Sequence, residues 1–127
     1  MPGWLKHENR FDLWLPAVLW AALILILSVL PSTGMTGLTA GNSDKIAHFF
    51  GYMIFSILFL RAVPLTAGAS SRRVLLFALI LTFSYGILME LLQCLIPGRD
   101  ASLMDILFNF GGAALGTMLG KVILWRK

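Results

Sequence analysis

Residues 74–96 read VLLFALILTFSYGILMELLQCLI, and no charged side chain interrupts the run before Glu90. Coiled as a helix at about 1.5 Å of rise per residue, such a run is as long as the ~30 Å hydrocarbon core of a bilayer is thick. The same pattern lies on either side of it. Leu13 to Leu30 has Ser28 as its polar side chain. Ile46 to Val63 is apolar apart from His48, Ser56 and Arg61, and Leu103 to Trp125 holds Asp105 and Asn109 in its first two turns. Across 127 residues, 58% are hydrophobic and 13% charged, with a mean hydropathy of +0.85. A water-soluble domain carries about 25% charged residues, and a short chain has too little interior to hide this much apolar surface. Composition thus excludes a disordered chain, a disulfide scaffold and a water-soluble fold. It predicts an all-α membrane protein, a single domain over residues 1–127 with four transmembrane helices.

Charge decides the expected orientation. Lys6, Arg10, Arg61, Arg72, Arg73, Lys121, Arg126 and Lys127 flank one side of the four spans, whereas only Lys45 and Arg99 flank the other. Basic residues are retained in the cytoplasm, so both termini are expected there. Asp44, Glu90, Asp100 and Asp105 then lie toward the outer face. The net charge of +4 and the pI near 9.7 are accounted for by this asymmetry, and no nucleic-acid partner is expected.

The connections support the same layout. Pro97 to Ser102, PGRDAS, reads as a tight hairpin between the third and fourth spans. Its Pro-Gly pair stops one helix, and Ser102 with Asp105 starts the next. The first run is too long for a signal peptide, and removing it would break the charge pattern. Leu30-Pro31-Ser32-Thr33-Gly34 matches a cell-wall sorting pentapeptide but follows an N-terminal span, where such a signal has no use. Cys94, the single cysteine, is expected to be a small core residue.

A charge inside a bilayer costs at least about 2.5–3.5 kcal/mol, so the few polar residues within the spans call for an explanation. Asp44, His48 and Tyr52 are four apart and share one face of the second helix. Glu90 and Gln93 share a face near the outer end of the third. Asp105, Asn109, Gly112, Gly116 and Gly120 form one stripe on the fourth, and the GxxxGxxxG part of it permits close helix packing. The simplest packing turns these three faces together at the outer end, with the fourth helix central and Arg99 above. Gln93, Asn109 and Tyr52 could each serve as interhelical glue worth about 0.6 kcal/mol. The carboxylates are better explained by a site.

The order Asp44-Lys45-x-x-His48-x-x-x-Tyr52, Glu90-x-x-Gln93, Pro97-Gly98-Arg99, Asp105-x-x-x-Asn109 and Gly112 resembles the VanZ-like family of small bacterial membrane proteins. The likeness runs over nearly the whole chain, and Ser28 and Pro31 also fit it, whereas Asp100 beside Arg99 is a departure. The resemblance implies an outward-facing site in the cell envelope. The family's founding member is associated with low-level teicoplanin resistance, and no reaction is established for the family at large.

Arg99, Lys45 and protonated His48 suit a phosphate or carboxylate, with the N-terminal ends of the second and fourth helices adding positive dipoles. The expected ligand-binding set is Asp44, Lys45, Tyr52, Gln93, Arg99 and Asn109. Glu90 is the candidate general acid or base, with His48 or Asp105 as its complement. No activated nucleophile is evident, because Ser43 and Ser102 read as helix starts. Asp44, His48, Glu90 and Asp105 are the residues that could hold a metal, but the chain has no HExxH-type spacing, so no metal and no cofactor are expected. The expected partner is a membrane lipid or lipid-linked envelope precursor, and a homo-oligomer is open. The residues leave open whether a bond is broken. The alternatives are a transporter or accessory subunit, or a scaffold whose polar cluster only locks helix packing.

Overall fold

In a computed structural model of the chain, residues 10–30, 42–63, 71–99 and 101–124 are described. They form four helices, α1 (Arg10–Val29), α2 (Asn42–Ala62), α3 (Ser71–Gln93) and α4 (Leu103–Leu124). All four are long and apolar enough to cross a membrane. Phe11, Leu19, Ile80, Leu91, Leu103 and Met118 are each at least 60% exposed. Water would not wet such a surface, and lipid would.

The helix bounds differ from the expected spans where local chemistry acts. Helix α3 stops at Gln93 rather than Ile96. Pro97 bars its predecessor from the α region, and the chain tightens early: Leu95 N–H donates to the Leu92 carbonyl at 3.0 Å, and Ile96 N–H to that of Gln93 at 3.1 Å. Gly98 then turns the chain with φ 79°, a left-handed conformation that favours glycine. Ser102 opens α4 as expected, its Oγ accepting from Asp105 N–H at 3.4 Å. Cys94 is exposed, not a core residue, because α3 has already ended with its buried face spent on Glu90 and Gln93.

Helix α2, not α4, is the hub. It touches all three other helices, while α1 and α4 make no contact among the described residues. The closest pair is α2 with α4, and the glycine stripe explains why. A Cβ on Gly112 would run into the Phe49 carbonyl oxygen, one on Gly116 into the Met53 carbonyl oxygen, and one on Gly120 into Leu60 Cδ1 at 2.7 Å. Residue numbers rise together along both helices, so α2 and α4 run parallel. Their N-terminal turns share one end of the bundle, beside the α3–α4 turn.

Aromatic and small residues fill the remaining core. Tyr52, Phe55 and Ala113 pack with Trp20, Ile24 and Tyr85, and Phe59, Leu60, Val74, Ala78 and Leu124 form a second cluster further from the turn. Trp20 Nε1–H donates to the Gly51 carbonyl at 2.9 Å and the Tyr85 hydroxyl to the Ala21 carbonyl at 2.6 Å. These two bonds fasten α1 to its neighbours.

Candidate functional site

Three helices contribute to a polar cluster at the α3–α4 turn end. His48 comes from the first turns of α2, Glu90 from the last turn of α3, and Asp105 and Asn109 from the first two turns of α4. Glu90 is 1% exposed, Asn109 0% and Asp105 6%. His48 Nδ1 lies 2.8 Å from Asn109 Oδ1 and 3.5 Å from Glu90 Oε1. In the tautomer with the proton on Nδ1 both oxygens can accept from it; in the other, Nε2 carries the proton and Nδ1 offers its lone pair. The other carboxylate oxygen of Glu90 accepts from Ser102 N–H at 3.5 Å. A negative group at the first turn of α4 also complements its dipole.

Donor atoms of His48, Glu90 and Asp105 all lie within 4.8 Å of one another, the arrangement a cation would use. Two further polar atoms point to something not supplied by the protein. Tyr52 Oη and Asn109 Nδ2 are buried and have no hydrogen-bond partner. Leaving such a group unmade costs about 1–3 kcal/mol.

Beside the cluster, between α1 and α2, lies a cavity of about 490 Å³. Its polar wall is Ser28, His48, Tyr52, Gln93 and Arg99, and its apolar wall includes Trp20, Leu23, Leu27, Phe50 and Ile54. Arg99 does not sit over the carboxylates. Its Nη1 donates to the Ser28 carbonyl at 3.3 Å, so the guanidinium bridges from the turn to the end of α1. Leu23, Leu27 and Phe50 are 42%, 43% and 50% exposed, which leaves the apolar side of the cavity open to the surroundings of the bundle.

The structure therefore brings together His48, Glu90, Asp105 and Asn109, and places Tyr52, Gln93 and Arg99 on the adjoining wall. Lys45 is half-buried and does not line the cavity. The side chain of Asp44 lies outside the described residues. Gly112, Gly116 and Gly120 do pack helices, against α2. Sequence reasoning missed Trp20, whose indole walls the cavity, and Gly86, where a Cβ would come within 3.1 Å of both Asn109 Nδ2 and Tyr52 Cε1. A glycine four residues before an intramembrane acid, on the same helical face, was the available signal for Gly86.

Further down the bundle the buried polar groups close on themselves. Ser56 and Thr82 hydroxyls meet at 3.2 Å, and Thr82 and Thr117 each donate to their own helix, at the Ala78 and Ala113 carbonyls, at 2.7 Å. No ionisable side chain accompanies them in those buried positions among the described residues. Among the described residues, no polar path through the bundle continues from the cluster.

In comparison with known proteins, the family model described as VanZ/LLP1 matches residues 8–125. No curated protein and no solved structure gives a significant match.

Proposed function

Starting from the fact that the chain belongs to the VanZ/LLP1 family, we propose that it binds an anionic lipid head group, or a lipid-linked wall precursor, at the outer face of the bacterial inner membrane. Both termini are then cytoplasmic, as the eight basic flanking residues favour. The observation that carries this reading is the two-sided cavity between α1 and α2, with Arg99, His48 and Gln93 at one end and Trp20, Leu23 and Phe50 along the other. Arg99 offers paired N–H donors to a phosphate or carboxylate. The parallel N-terminal ends of α2 and α4 add their positive dipoles at the same level. The open apolar side accepts an acyl or prenyl chain without removing it from lipid.

Within this reading Glu90 and His48 are the pair that would move a proton on a bound head group, since both are desolvated and adjacent. The closed Ser56–Thr82 pairing argues against transport. Comparison of lipid extracts by mass spectrometry, from cells with and without the protein, tests the proposal. Loss of the protein should change the abundance of one class of head group or lipid-linked precursor, with a shift in teicoplanin susceptibility as the cellular readout. Arg99→Ala and Glu90→Gln should reproduce that change at normal membrane abundance. Unchanged lipids would overturn the proposal, and failure of both variants to accumulate would favour the scaffold reading.

A further inference from the structure

His48, Glu90 and Asp105 come from three helices, yet each presents a donor atom within 4.8 Å of the other two. Around an ion with metal–ligand distances of about 2.1 Å, neighbouring ligand atoms stand roughly 3.0–3.4 Å apart and opposite ones about 4.2 Å. His48 Nδ1 is 3.5 Å from Glu90 Oε1 and 2.8 Å from Asn109 Oδ1, both near such an edge. The 4.8 Å bound exceeds the separation of opposite ligands by about 0.6 Å, a gap that side-chain rotation can close.

Charge points the same way. Two carboxylates at 1% and 6% exposure, in a bundle surrounded by lipid, need about two positive charges nearby. A divalent cation with neutral His48 would balance such a pair.

The orphaned atoms supply an independent observation. Tyr52 Oη is buried, lacks a hydrogen-bond partner, and stands within electrostatic range of Glu90. A hydroxyl so placed donates to a water or head-group oxygen held on an ion at the cluster. We propose that His48, Glu90 and Asp105 bind one divalent cation, with Asn109 as a carbonyl ligand or as the group that orients His48. One imidazole with oxygen donors suits Zn²⁺ or Mn²⁺ and does not suit a soft thiophilic metal. Ligands drawn from three helices leave no contiguous motif along the chain, so spacing alone does not single them out.

The test uses the full chain in detergent, treated with chelator and then titrated with Zn²⁺ or Mn²⁺ alone. One ion should bind per chain, and X-ray absorption should report one imidazole among oxygen donors. Glu90→Gln and Asp105→Asn should each weaken binding by more than 100-fold, and Asn109→Ala by about 10- to 100-fold, the range for groups that orient ligands. A Cys94→Ser chain should bind as the native one does. Absence of stoichiometric binding, a sulfur ligand in the spectrum, or variants that bind as tightly as the native chain would overturn the proposal. If the variants do not fold, the absorption spectrum of the native chain still decides. No lipid enters the measurement, so its failure leaves the head-group reading standing, and failure of that reading leaves the ion.

Discussion

Glu90 holds two jobs with its two oxygens. One faces His48 at 3.5 Å and the other accepts from the backbone N–H of Ser102 across the α3–α4 turn. The substitutions Glu90→Gln and Glu90→Ala should therefore separate. Glutamine keeps an acceptor for Ser102, so thermal unfolding in detergent should stay close to that of the native chain. Alanine orphans that N–H and should cost about 1–3 kcal/mol. Tyr52→Phe runs the other way. Deleting an unpartnered buried hydroxyl should leave stability unchanged or raise it by about 1 kcal/mol, while the lipid phenotype weakens. Equal melting of all three variants would contradict this division of labour. The ionisable residues were legible in the sequence because an acid inside an apolar run has no cheap structural excuse. The pairing of His48 with Asn109, and the room that Gly86 gives Tyr52, were not. Such contacts depend on how far each helix is rotated about its axis, which residue spacing within one helix does not fix.

Helix α4 shows how an element can be read correctly and placed wrongly. Its glycine stripe announces close packing, but the stripe names no partner and no direction. Packing puts it against Phe49, Met53 and Leu60 of α2, and leaves α4, unlike α2 and α3, without a contact to α1 among the described residues. Gly116→Ala forces a methyl group against a backbone carbonyl and should destabilise the fold by about 1–3 kcal/mol. Gly51, on α2, has nothing within 4 Å of where a Cβ would stand. Gly51→Ala should be neutral, or stabilising by up to about 1 kcal/mol through helix propensity. Unfolding midpoints of the two variants side by side check the assignment, and an equal effect would sink it. The end of α3 is also an element-scale lesson. Pro97 acts on the residues before it, so the helix closes several positions earlier than hydropathy implies.

At the scale of the whole molecule, the four helices and their apolar surroundings follow from composition, because a chain with 13% charge has no other solvent open to it. Orientation rests on the distribution of Lys and Arg and predicts which side reagents reach. In a Cys94→Ser background, Ala101→Cys beside the α3–α4 turn should be labelled in intact cells by a membrane-impermeant thiol reagent. Arg72→Cys, at the start of α3, should be labelled only after the cells are opened. The reverse pattern would place the polar cluster on the cytoplasmic side and remove the outward-facing site. The cavity between α1 and α2 was not legible at any scale of the sequence. It arises because α1 leans on α2 and α3 without reaching α4, and no single-helix pattern encodes a gap between two helices.

That α1 stands apart from α4, while the polar cluster draws on α2, α3 and α4, has a consequence for biosynthesis. The ribosome delivers α1 and α2 before α4, yet the backbone groove on α2 that receives α4 stays unfilled until α4 arrives. His48 and Glu90 reach the bilayer ahead of Asp105 and Asn109, which complete their surroundings. Assembly of the site thus waits on α4, and a chain halted before that helix would present polar groups to lipid, as a substrate for membrane quality control.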